Sequence, residues 1–234
     1  MTRYKITIEY DGKNYNGWQA QKGLNTIQGA LEESVQLFCG EKVSIYGAGR
    51  TDTGVHASGQ VAHLDLDIES IEDKKNKLGK LTMGVNYYLS RNFNNEITII
   101  SSKKVNQEFH ARFSAKYRRY KYTILNKRTG SPLNRNNSWR VSLPLNLQSM
   151  IKASKLLIGK HDFSSFRSTE CQSNSPIKTI DDISITKNKD FIFIKVTAKS
   201  FLMNQVRIIT GTLVEVGLNR KTEEDIKLAL KKYN

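Results

Sequence analysis

Two stretches of this chain alternate apolar and polar residues with a period of two, and this pattern constrains the fold more than any other feature. Residues 4–10 alternate tyrosine or isoleucine with polar side chains. Residues 191–198 follow a turn-like Asn188-Lys189-Asp190 and put on one face Ile192, Ile194, Val196 and Ala198. Such alternation is typical of antiparallel strands with one buried face. The chain is therefore expected to build sheets covered on one side.

Segments in which apolar residues recur at helical spacing lie between these strands. The pattern runs from Ile27 to Phe38, with Thr26 able to cap the first turn and Gly40 placed to end the helix. The first half then reads strand, helix, strand, strand, helix, strand, with the remaining elements predicted at residues 43–46, 61–66, 71–89 and 97–105.

The second half has a similar order of predicted strands and helices, although its residues do not repeat those of the first half. Its predicted strand, helix, hairpin and two further helices lie at residues 118–125, 147–158, 180–198, 204–216 and 223–232. This order favours helices that cover one face of a sheet. We predict an α+β fold of two similar α/β halves, residues 1–105 and 106–234, with mostly antiparallel sheets covered by helices.

Basic residues are concentrated in the second half. Lys and Arg number 37 against 22 Asp and Glu, a net charge of +15. Residues 1–105 hold 13 basic and 12 acidic residues, whereas residues 106–234 hold 24 and 10. Scattered lysines are often only solvated, but arginine-rich density beside tyrosines favours a nucleic acid as the partner.

Composition also argues against a membrane-spanning, disulfide-rich or metal-binding protein. The apolar stretches are too short to span a bilayer, and the N-terminus enters a strand pattern at once, so cytoplasmic residence is the expectation. Two cysteines make no disulfide framework, and the four histidines lack metal-ligand spacing. We therefore predict no metal site.

A glycine-rich loop at residues 47–59 lies between two predicted strands. A dinucleotide-binding loop would need a small residue where Asp52 stands and a helix afterwards, but a strand follows. The glycines instead permit a sharply folded backbone that holds one side chain at a cleft. Asp52 is the candidate for that side chain, with capping of its own turn as the alternative.

The centre of this loop, Gly49-Arg50-Thr51-Asp52-Thr53-Gly54-Val55-His56, resembles the central motif of the tRNA pseudouridine synthase A family. Further family-like segments occur in the expected order: Glu9-Tyr10-Asp11-Gly12, Gly17-Trp18-Gln19, Phe109-His110-Ala111-Arg112-Phe113, Arg118-Arg119-Tyr120-Lys121-Tyr122, Asp162-Phe163-Ser164-Ser165-Phe166-Arg167 and Asn204-Gln205-Val206-Arg207. The resemblance implies a pseudouridine synthase-like fold with an active-site cleft between the halves. It also implies a cofactor-free homodimer that isomerises uridines at positions 38–40 of the tRNA anticodon stem-loop.

By position, the resemblance implies roles for three residues: Asp52 as nucleophile, Tyr120 as the aromatic ring on the target base, and Arg207 as the partner of Asp52. Isomerisation must detach uracil from C1′, turn it and rejoin it through carbon 5. A carboxylate can add and leave again, although the sequence leaves open which atom it attacks. An aspartate kept ionised in a water-excluding site needs a cation such as a guanidinium.

The target uridine must also leave its stack, at a cost of a few kcal/mol. Strand alternation puts Tyr120 and Tyr122 on one face, so Tyr120 can stack on the base, whereas Tyr122 is expected in the core. Arg50 is expected to contact the RNA, to occupy the gap left by the flipped base, or only to brace the loop. Other basic residues predicted to bind substrate are Arg112, Arg119, Lys121 and Arg167.

One departure from the family pattern lies at the C-terminus. Relatives usually continue past the last helix with a Gly-Leu-Tyr strand that puts a leucine near the base, but this chain ends at Lys232-Tyr233-Asn234. We expect either a truncated chain or an altered base pocket.

Overall fold

The computed structural model describes residues 1–67 and 78–231. The chain divides into two compact units, Met1–Ala115 and Lys116–Asn234. The boundary expected at residue 106 therefore lies inside the first unit. The physical reason is that the Arg3 guanidinium donates hydrogen bonds to the carbonyls of Gln107 and Phe109, which ties this segment to the first strand.

The first unit follows the predicted order of elements. Its bounds are β1 Thr2–Tyr10, α1 Ile27–Cys39, β2 Tyr46–Gly47, β3 Ala57–Leu66, α2 Leu78–Asn92 and β4 Ile97–Lys104. The four strands form an antiparallel sheet in the order β2-β3-β1-β4. The alternation of β1 buries Ile6 and Ile8 with helix residues such as Leu31 and Val85.

Local signals at α1 act as the sequence predicts. The Thr26 side chain accepts a hydrogen bond from the Gly29 amide, and Gly40 ends the helix in the left-handed region. Strand β2 is shorter than predicted, because the amide of buried Ile45 donates to the Glu32 carboxylate instead of a neighbouring strand. Residues 71–77 of the second predicted helix lie outside the described residues.

The second unit contains a five-stranded sheet. Its bounds are β5 Arg118–Asn126, β6 Trp139–Val141, α3 Leu147–Lys155, β7 Gly159–Asp162, β8 Ile177–Asn188, β9 Phe191–Ala198, α4 Gln205–Gly217 and α5 Glu223–Lys231. The strand order is β6-β5-β9-β8-β7, and β6 pairs with β5 in parallel while the other pairs are antiparallel. Strands β6 and β7 were not predicted from the sequence.

One face of this second sheet packs against the helices. Ile192, Ile194 and Val196 are completely buried together with helix residues such as Ile209 and Leu213. No helix within residues 1–67 and 78–231 is long and apolar enough to cross a membrane.

Candidate active site

The glycine-rich loop joins β2 to β3 in the first unit, and hydrogen bonds with β3 hold its first residues. At its start the Ala48 amide donates to the Val61 carbonyl at 2.7 Å, and the Gln60 side chain donates to the Gly49 carbonyl at 2.7 Å. Strand β3 follows it directly, as the sequence predicted. The loop therefore has the strand–loop–strand context that the dinucleotide-binding pattern lacks.

Thr51, the neighbour of Asp52, is held at two of its atoms, by the last residue of β1 and by the segment that follows β1. Its hydroxyl is 2.8 Å from the Tyr10 hydroxyl, and its carbonyl accepts from the Trp18 amide at 2.9 Å. Tyr10 and Trp18 are each only 2% exposed, and their rings pack 6.3 Å apart. A buried and well-packed support thus fixes the backbone next to Asp52.

Glycines make this close approach possible. Gly17 has a φ of +86°, and a methyl group on it would meet the Thr51 carbonyl oxygen at 2.5 Å. A methyl group on Gly12 would overlap the Val55 carbonyl oxygen. These two glycines therefore let their segments lie directly against the glycine-rich loop. The segments are Glu9-Tyr10-Asp11-Gly12 and Gly17-Trp18-Gln19.

His56 supports the other end of the loop. Its Nδ1 accepts from the Gly12 amide at 3.2 Å and lies 2.9 Å from a carboxylate oxygen of Asp11. The first contact uses Nδ1 as an acceptor, whereas a hydrogen bond to Asp11 uses it as a donor, so one tautomer of the ring forms only one of the two contacts. Both contacts connect the motif to the segment after β1.

Asp52 and Arg50 are exposed on this loop. The backbone carbonyl of Asp52 accepts from the Val55 amide at 3.1 Å, which closes the turn. The loop by itself does not enclose Asp52 in a water-excluding site, because a glycine-rich surface loop carries few large side chains that could cover it.

The second unit carries Tyr120, and strand alternation separates it from two of the basic candidates. Tyr120 is half-buried, pairs with Val196 in the register and packs edge-on to Phe201 at 5.2 Å. Arg119 and Lys121 project from the other side of the sheet. The sequence-predicted substrate residues of β5 therefore lie on both faces of the strand, and one RNA segment lying on one face cannot contact all of them.

Arg207 lies exposed in the first turn of α4. That turn contains no acidic residue, and Asn204, in the left-handed region, makes no side-chain capping bond. A helix N-terminus carries a partial positive charge, and Arg207 adds a full one. Half-buried Arg167 belongs to the same unit, where the neighbouring Ser168 amide donates to the Met203 carbonyl close to this helix start.

Arg112 is exposed in the segment at residues 106–115, which is hydrogen-bonded to Arg3 and His63 of the first sheet. Its guanidinium is 5.8 Å from the Phe113 ring centroid. The Ala111 amide beside it donates to His63, which is buried, and burial lowers the pKa of His63. The predicted substrate residue Arg112 is thus presented from a segment anchored to the sheet.

Sequence reasoning missed the role of Tyr10 and Trp18 in supporting the loop, and it missed Lys195, which lies beside Lys121. The period-two pattern of β9 places Lys195 on its polar face, so the signal was available for Lys195. Within the described part of the chain, no three His, Cys, Asp or Glu side chains gather in a group that could hold a metal ion.

Comparison with known proteins connects this geometry to a family. The family model described as tRNA pseudouridine synthase matches residues 6–114 and 153–234. The chain is 48% identical over 225 residues to tRNA pseudouridine synthase A of Wolbachia pipientis wMel, covering 96% of this chain and 88% of the relative. It is 44% identical over 230 residues to the Brucella ovis protein of the same name, covering 98% and 89%. The chain therefore belongs to the tRNA pseudouridine synthase family, whose members are isomerases that convert uridine to pseudouridine.

Proposed function

We propose that this chain converts uridine to pseudouridine in the anticodon stem-loop of tRNA, with Asp52 as the nucleophile. The observation that carries the proposal is the support of the loop: Tyr10 and Trp18 hold Thr51 at its hydroxyl and its carbonyl, directly beside an exposed carboxylate. A nucleophile acts efficiently when the backbone around it is fixed before substrate binds.

The chemistry requires no change in atom count. The bond between N1 and C1′ breaks, uracil turns, and a bond forms between C5 and C1′, while C5 loses a proton and N1 gains one. The Asp52 carboxylate can add to sugar or base and then leave, which divides the exchange into two covalent steps.

We assign Arg207 as the cation that keeps Asp52 ionised and Tyr120 as the ring that stacks on the flipped base. The first turn of α4 supports the first assignment, because its uncapped N-terminus and Arg207 together favour an anion. We assign RNA contacts to three further basic residues: Arg50, Arg112 and Arg167. We propose that the protein is a homodimer, as the resemblance implies, and that it acts in the cytoplasm.

The decisive experiment compares the wild-type protein with Asp52→Asn and Asp67→Asn on an unmodified tRNA transcript, followed by mapping of pseudouridine. Asp52→Asn should bind the tRNA and form no product, because an amide is a poor nucleophile. Asp67→Asn, which changes another exposed aspartate of the first unit, should retain full activity. Product from Asp52→Asn would refute the assignment of the nucleophile, and binding by the wild type without product would indicate an RNA-binding protein.

A pair of glycine variants tests the support of the loop separately from its chemistry. Gly17 and Gly23 both have positive φ, but a methyl group on Gly17 meets Thr51, whereas one on Gly23 meets nothing within 4 Å. Gly17→Ala should lower the single-turnover rate by about 100-fold, since a small displacement of a reacting group can cost that much. Gly23→Ala should cost only the strain of its backbone, about 1 kcal/mol, and leave the rate unchanged. Equal rates in the two variants would contradict the proposed support.

A further inference from the structure

The second sheet has a face turned away from its helices that the proposed chemistry does not use. The pairing of β5, β9 and β8 puts nine residues of this face in three rows: Arg119–Thr197–Asp182, Lys121–Lys195–Ser184 and Thr123–Phe193–Thr186. Side-chain contacts agree with the register, because Arg119 Nε donates to Thr197 Oγ1 at 3.3 Å and Lys121 Nζ lies 5.7 Å from the Phe193 ring centroid. We call these nine residues the open sheet face.

The middle row places two positive charges directly opposite each other. Lys121 and Lys195 are both exposed, and the third member of their row is Ser184. The carboxylate of the open sheet face, Asp182, belongs to the neighbouring row. Like charges directly opposite on paired strands destabilise a sheet. An arrangement that costs folding stability suggests that an anionic ligand compensates for it.

We propose that the open sheet face binds phosphates of the substrate tRNA through Arg119, Lys121 and Lys195. This inference rests on the proposed function, which makes tRNA the substrate. Alternate residues of a strand lie roughly 6.6 Å apart, so these cations form a ridge suited to repeated phosphates. Aromatic surface accompanies them: the Arg119 guanidinium lies 5.4 Å from the ring of Tyr117, which is 59% exposed. Basic residues interleaved with aromatic rings on a sheet are typical of RNA-binding surfaces.

The test measures the Kd for binding of a tRNA transcript to the Lys195→Thr variant over a range of salt concentrations. Threonine keeps the strand preference and removes the charge. The Kd at low salt should rise by roughly three- to tenfold, and the slope of log K against log salt should fall by about 1. The matched control is Lys155→Gln, which removes an exposed lysine from α3 of the same unit and should bind as the wild type does.

Wild-type affinity and salt slope in Lys195→Thr would overturn the proposal. So would a changed sedimentation coefficient with unchanged tRNA binding, since a second copy of the chain would then cover the open sheet face. If Lys195→Thr fails to fold, Arg119→Gln provides the same measurement. Binding is recorded independently of product, so absence of pseudouridine in the wild-type reaction would count against the proposed function and not against this surface.

Discussion

The two sheets of this molecule differ in the face that does not pack against their helices. In the first unit, Arg3 and His63 lie on the face opposite the core and anchor the segment at residues 106–115 across it. Arg3 also forms a two-bond ion pair with Asp65, its neighbour across the strands, at 2.7 and 2.8 Å. In the second unit, the corresponding face leaves Lys121 and Lys195 exposed.

Charge follows the same division. Residues 1–115 hold 14 basic and 13 acidic residues, whereas residues 116–234 hold 23 and 9. On the first sheet, Arg3 is paired with Asp65 within the unit, which stabilises the fold, although Lys5 lies opposite Lys103 on the same face. Charges on the second sheet repel one another, which is compatible with a surface whose partner is another molecule. Substitutions on the first face should therefore change stability, and substitutions on the second should change tRNA binding.

The largest effect on stability is expected from Arg3→Ala. It removes the hydrogen bonds to Asp65, Gln107 and Phe109, and should lower the unfolding free energy of the first unit by about 2 kcal/mol. Urea unfolding can follow Trp18, the tryptophan of this unit, in a Trp139→Phe background. The control Arg91→Ala, at the exposed end of α2, should change stability by less than about 0.5 kcal/mol. If Arg3→Ala is as stable as the wild type but binds tRNA less well, the expectation that the first face contributes to stability and not to tRNA binding is wrong.

A smaller effect should appear as a pH dependence of the first unit. Burial, with Arg3 and His110 nearby, lowers the pKa of His63 below 6.5, while Asp65 opposes this shift. As the pH falls through about 6.5, the unfolded chain takes up a proton that the native chain resists, so stability decreases. His63→Asn keeps an acceptor for the Ala111 amide but cannot titrate, and should flatten the dependence between pH 7 and 5. The other histidines are common to both proteins, so an unchanged dependence would contradict the expectation.

The smallest effect is expected on the stability of the second unit. Lys195→Thr removes the like-charge pair with Lys121 and should raise the unfolding free energy by about 0.2–1 kcal/mol at low salt. Hydrogen exchange of the β5 and β9 amides, read by mass spectrometry, measures the change. If Lys195→Thr is more stable than the wild type and binds tRNA less well, then Lys195 contributes to tRNA binding and not to folding stability. Loss of stability would mean that Lys195 contributes to the fold.

Elements with local signals could be predicted from the sequence. The Thr26 cap, the Gly40 terminus and the alternation of β1, β5 and β9 each lie within a few residues, so short-range physical chemistry defines them. Strands β6 and β7, at three and four residues, carry too short a pattern to detect and form by pairing with strands distant in sequence. The family and the motif loop were also identifiable from sequence, whereas the catalytic roles stay predictions.

The sequence by itself determined the α+β class, the alternation that separates Tyr120 from Arg119, and the concentration of basic residues after the first half. Tertiary structure decided that Tyr10 and Trp18 hold Thr51, and that Lys195 stands opposite Lys121. The physical reason is sequence distance. Backbone dihedral preferences and side-chain periodicity act over a few residues, but a contact between residues tens of positions apart depends on strand register and core packing, which only the folded chain defines.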